Sequence, residues 1–139
     1  MLSEPQVAFL EAARVGYLGT VDAQGRPRVV PVCFAIVGGE IYSPIDQKPK
    51  RTMELARIKH VRARPDVCLT VDHWDEDWSK LAWLQVRGVA RVVEATAEVV
   101  AALRRRYPPY RAMALETRPL LAIRVREVVG WSASSARAM

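Results

Sequence analysis

The chain has 139 residues, half of them hydrophobic, and a net charge of +6. That is enough for one sizeable core and too little for two full domains, so residues 1–139 read as a single domain, with 132–139 a small-residue, flexible tail. The longest apolar run, Val29 to Val37, is too short to span a bilayer, and the first residues lack the order of a signal peptide, which points to a cytoplasmic protein without a membrane partner. Cys33 and Cys68 stand far apart inside strand-like runs, a pattern of reduced core residues and not of zinc sites or a disulfide framework.

In chain order, Ser3-Glu4-Pro5-Gln6 has the form of a capping box with proline in the first turn, predicting a helix to about Arg14. Gly16 to Val21 reads as a strand and Asp22-Ala23-Gln24-Gly25 as a turn, because aspartate initiates turns and glycine supplies positive φ. A second strand, Pro27 to Val37, meets a third, Glu40 to Ile45, across Gly38-Gly39, a two-residue hairpin signal. Between Lys48 and Arg64 the apolar residues Leu55, Ile58 and Val61 recur at helical spacing among basic ones, and Pro65 stops the run.

Strands resume at Val67 to Asp72 and at Leu81 to Val93, separated by a charged, aromatic loop that carries Trp74 and Trp78. Thr96 caps a third helix through Tyr107, ended by Pro108-Pro109, and a last strand runs from Leu120 to Trp131. Strands in adjacent pairs, with helices inserted between them, predict a mainly β protein, a six-stranded antiparallel barrel with flanking helices. The absence of G-x-G-x-x-G argues further against a dinucleotide-binding parallel sheet.

Phosphate wants several cationic donors together with free backbone N–H groups, and a helix start supplies the latter. Lys48, Lys50, Arg51 and Thr52 sit where such a start is predicted. Taken alone, they fit any anion or a solvated basic turn. Arg57, Lys59, Arg62 and Arg64 extend the basic field along the same helix, or simply keep its exposed face soluble. Consecutive carboxylates at Asp75-Glu76-Asp77 do not converge as metal ligands must, so no metal is expected. No serine lies in a nucleophile-elbow pattern. His60 is expected to be exposed, while His73 is a candidate lining residue for a substrate pocket. The tryptophans Trp74, Trp78, Trp83 and Trp131 suit either subunit packing or ring binding, with packing favoured. No base-reading helix or aromatic stacking strand accompanies the arginines, so no specific nucleic-acid partner is expected.

Several stretches resemble the pyridoxamine-phosphate-oxidase-like flavin and deazaflavin split-barrel family. They are Tyr17 to Val21 with Gly25-Arg26-Pro27-Arg28, Ile41 to Pro44 leading to Lys48-Pro49-Lys50-Arg51, Asp66 to Asp72, and Val86 to Val92. Within that family, Lys48-Pro49-Lys50 and Asp75 to Ser79 are most similar to the branch that uses the deazaflavin F420. The resemblance implies a Greek-key split barrel and a homodimer with cofactor sites at the interface, the phosphate lying by the loop that enters the second helix. It also places Val30 and Val32 along the cofactor ring and makes Ser43 a possible hydroxyl donor near the phosphate. The activity implied is F420-dependent hydride transfer to or from a small organic substrate. FMN-dependent oxidation or reduction on the same fold is the first alternative. A non-enzymatic flavin, F420 or haem binder is the second, although no histidine stands in a recognisable axial-ligand setting. No side chain is assigned as a catalytic acid or base.

Overall fold

The computed structural model describes residues 1–45 and 51–134, apart from the side chains of residues 51–55. Helix α1 spans Glu4–Ala12, and both hydrogen bonds of the predicted capping box are present between Ser3 and Gln6. Strand β1 (Gly16–Val21) turns through Asp22 to Gly25 into β2 (Pro27–Val32), and β3 (Ala35–Val37) turns through Gly38-Gly39 into β4 (Glu40–Pro44). Gly38 and Gly39 have φ of 58° and 79°, the left-handed pair that a tight hairpin demands. Helix α2 (Arg51–Ala63), β5 (Asp66–His73), β6 (Ala82–Val93), α3 (Ala97–Arg106) and β7 (Leu120–Ser132) complete the chain, with short 3-10 turns at Trp78–Lys80 and Pro108–Ala112.

The strands form one curled antiparallel sheet of seven, ordered β2-β1-β5-β6-β7-β4-β3. The predicted six become seven because Pro27 to Val37 is two strands. Its first half pairs with β1 at one edge of the sheet and its second half with β4 at the other. One continuous strand cannot serve both edges, so the chain breaks at Cys33-Phe34. With only those residues between them, the two edge strands must approach to within about 11 Å at that point, which is what curls the sheet.

The break leaves backbone groups without ladder partners, and side chains take them up. Tyr107 Oη accepts from the Phe34 N–H at 3.2 Å, and Arg106 Nε donates to the Phe34 carbonyl at 2.8 Å. Ser43 Oγ donates to the Cys33 carbonyl at 2.8 Å. Arg106 also reaches the carbonyls of Leu10, Glu11 and Ala13, so one guanidinium closes the C-terminus of α1 and the strand break together.

The main core fills the inside of the curl with Leu18, Leu69, Leu84, Val86 and Ile123, while a second cluster of Val99, Val100, Leu103 and Leu120 lies under α3. Pro27 and Pro31 are accommodated because β2 is an edge strand, where a missing N–H costs no ladder bond on the open side. Among the described residues no helix is long and apolar enough to cross a membrane.

Candidate functional site

The β1–β2 turn is built around Asp22, whose carboxylate is buried at 5% relative exposure. Its Oδ1 accepts the N–H groups of Gln24 and Arg26, both at 2.9 Å, and its Oδ2 accepts Arg28 Nη2 at 3.1 Å. The Arg26 N–H, helped by the Gln24 N–H and the Arg28 guanidinium, outweighs the effect of burial and holds the Asp22 carboxyl below its ordinary range. Arg64, just past α2, donates to the Ala23 carbonyl at 3.2 Å and ties the helix end to the same turn.

Strand alternation then sets which side chains meet the helix. Thr20 lies opposite Arg28 and Leu18 opposite Val30 in the β1–β2 register, so all four share the face turned towards the core. On α2, Ala56, Arg57 and His60 fall on one helical stripe. Thr20, Arg28 and Val30 on one side and Ala56, Arg57 and His60 on the other line a cleft of about 320 Å³. It continues around the turn, where Lys59 and Arg62 join Arg28 and His60 beside Asp22 to Gln24. Because Asp22 is occupied by Arg28 and two backbone donors, the cleft carries an excess of positive charge against an apolar patch at Val30. This donor set fits a ligand with anionic groups and a flat apolar part.

Of the residues singled out from the sequence, Lys48 and Lys50 lie outside the described residues. Arg51 and Thr52 open α2, at the helix start predicted for them, with side chains outside the description. Val30 lines the cleft, whereas Val32, on the same strand face, is buried in the main core. Ser43 is buried at 1% and spends its hydroxyl proton on Cys33, so the role seen for it is to stabilise the strand break. His60, expected on an exposed face, is half-buried in the cleft because it follows Ala56 by one helical turn. His73 is exposed, 3.9 Å from Asp75, in the tryptophan lobe.

The sequence reading missed Arg28, Asp22 and Thr20 as cleft residues. The signal was available for Arg28, which stands two residues before Val30 and must share its face. Nothing local marks Arg106, whose carbonyl partners lie more than 70 positions away in sequence.

The profile of the family described as Pyridoxamine 5'-phosphate oxidase matches residues 2–132. No curated protein matches significantly. Among solved structures, a conserved hypothetical protein from Mycobacterium tuberculosis superposes with a TM-score of 0.74 at 23% identity, covering 96% of this chain and 86% of its own. An F420 reductase gives 0.67 at 23% identity, with 91% and 98% covered. A haem-binding protein from Mycobacterium smegmatis gives 0.74 at 17% identity, with 99% and 58% covered. These identities establish a shared fold, and proteins named for different cofactors carry it. With the profile spanning nearly all of its length, the chain belongs to the pyridoxamine 5'-phosphate oxidase family.

Proposed function

We propose that this protein is a cytoplasmic, homodimeric F420-dependent oxidoreductase, moving a hydride between deazaflavin F420 and a small organic substrate. The observation that carries the reading is the basic cleft between β2 and α2. Its cations, Arg28, Arg57, Lys59 and Arg62, with His60 among them, run on from the helix start that Lys48, Lys50, Arg51 and Thr52 mark in the sequence. F420 bears a phosphodiester and an oligoglutamate tail, so it presents more negative charge than FMN and gains more from an extended basic wall. The free thiols Cys33 and Cys68 suit a reducing compartment.

Bound F420 would supply the hydride chemistry. The chain's own part is binding and orientation. Lys48, Lys50, Arg51 and Thr52 hold the phosphate, Arg28 adds a guanidinium fixed in place by Asp22, and Val30 offers the apolar contact for the ring. The cofactor sites lie at the dimer interface, so that two subunits exclude water from each.

Side-by-side equilibrium titration with F420 and FMN tests the reading, with F420 expected to bind at least tenfold more tightly. Tighter binding of FMN would move the protein to the flavin branch. Binding without turnover by any electron acceptor would make it a carrier, and tight haem binding with an absorption band shifted by His60→Ala would make it a haem protein.

A further inference from the structure

Three polar side chains are buried among the described residues: Thr20, Asp22 and Ser43. Two of them are satisfied, since Asp22 accepts from three donors and Ser43 donates to the Cys33 carbonyl. The Thr20 hydroxyl, at 5% exposure, has no hydrogen-bond partner among the described residues. Burying a hydroxyl without a partner is unfavourable, and a valine of the same shape would suit a strand as well. Alternation along β1 puts the Thr20 side chain on the core face opposite Arg28, where it lines the cleft against α2. The hydroxyl is therefore placed for a partner from outside the chain.

Two further donors border the same cleft. Arg28 gives one N–H to Asp22 at 3.1 Å and keeps the rest of its fork, and His60 lines the cleft half-buried from α2. Asp22, the carboxylate beside them, is already taken by Arg28 and the N–H groups of Gln24 and Arg26. Arg57, Lys59 and Arg62 on α2, and Arg64 just past it, add positive charge around His60. A carboxylate on a short carbon stem suits this wall. Its oxygens take the hydroxyl, guanidinium and imidazole donors, and the stem lies against Val30 and Ala56.

This group is not the phosphate placed at the helix start. His60 stands nine residues beyond Arg51 in α2, about 13 Å along the axis, too far for a phosphate held by the first N–H groups to meet its ring. Val30, the apolar contact given to the cofactor ring, is two residues from Arg28 on β2, about 7 Å away. A carboxylate between Thr20, Arg28 and His60 thus lies beside the ring position, where a substrate has to sit to exchange a hydride.

We propose that Thr20, Arg28 and His60 form a carboxylate pocket for the substrate, which makes that substrate a small organic acid. The substrate role rests on the cofactor reading of the proposed function, whereas the pocket is testable without any cofactor.

Nuclear magnetic resonance of the imidazole rings reads the pocket on the whole chain. The sequence has two histidines, and the exposed His73 serves as internal reference. Sodium acetate, added at constant ionic strength, is expected to shift the His60 ring signals saturably and to leave those of His73 in place. Thr20→Val should raise the acetate dissociation constant at least about fivefold. It should melt at or above the wild-type temperature, because it removes a buried hydroxyl that has no partner. Thr20→Ser keeps the hydroxyl and should retain most of the affinity, which keeps the test decisive if the valine variant does not fold. A His60 signal that does not saturate, or a folded Thr20→Val protein that binds acetate like wild type, overturns the pocket. Saturating F420 then decides whose carboxylate it takes. An acetate affinity little changed by F420 supports a separate acidic substrate. Loss of acetate binding gives the pocket to the cofactor's own carboxylates and overturns the substrate class. If acetate binds and F420 does not, the cofactor reading fails and the carboxylate pocket stands.

Discussion

At the scale of single residues, the cleft depends on an arginine whose direction is set by a buried aspartate. Arg28→Ala removes a charged donor that Asp22 holds in place, and such contacts are worth about 1.5–3 kcal/mol. Affinity for a phosphate-bearing cofactor should therefore fall by about 10- to 100-fold in a titration, with little change in Tm because the guanidinium is half exposed. Ser43→Ala should show the opposite pattern. Its hydroxyl serves the Cys33 carbonyl, so the loss is about 1 kcal/mol of stability, and cofactor affinity should stay close to wild type. If instead Ser43→Ala weakens cofactor binding by tenfold at unchanged Tm, the hydroxyl reaches the ligand after all. Arg106 has a structural role: with five hydrogen-bond partners in three segments and its charge over the rings of Phe34 and Tyr107, Arg106→Leu should cost about 2–4 kcal/mol in denaturant unfolding.

At the scale of elements, local chemistry accounts for most boundaries. The Ser3 capping box, the Gly38-Gly39 hairpin and the Thr96 cap are all present where their residue types predict them. Each signal acts within a few residues, which is why it can be read without the fold. The irregularity between Arg87 and Gly88 is different. There the pairing of β6 with β7 slips, and a Cβ on Gly88 would lie 2.2 Å from the Arg124 carbonyl oxygen. No rotamer relieves a clash with backbone, so Gly88→Ala must shift one strand against the other. A loss of at least about 2 kcal/mol is expected, read as a lower midpoint in urea. An unchanged midpoint would show that the bulge adapts freely.

At the scale of the whole molecule, acid should unfold this protein readily. Arg26 N–H at Asp22, Arg91 at Glu40 and Arg104 at Glu116 each hold a carboxyl below its ordinary value. Such groups bind more protons when unfolded, so their contribution is fully present above about pH 4.5 and is lost as pH falls through the lower folded values. Protonation of carboxylates also raises a net charge that already stands at +6, adding repulsion between cations. Tm should be flat from pH 7 to pH 5 and drop steeply towards pH 3, with a shallower drop in Asp22→Asn.

How much could be read from the chain alone follows from the range of each interaction. Periodicity, caps and turn residues, all local, determine the helices, nearly every strand and the antiparallel class, and they put the basic helix start where a phosphate clamp is expected. The same locality explains why Pro27 to Val37 looks like one strand: Val, Ile and Phe suit a strand throughout, and only pairing with opposite edges of the sheet breaks it at Cys33-Phe34. Burial of Ser43, the entry of His60 into the cleft and the pairing of Arg28 with Asp22 are likewise tertiary. A hydroxyl, an imidazole or a guanidinium has no preferred partner until the fold removes water and places one within reach. Sequence by itself determined the kinds of element and the charge they carry; the curl of the sheet decided which of those charges face one another.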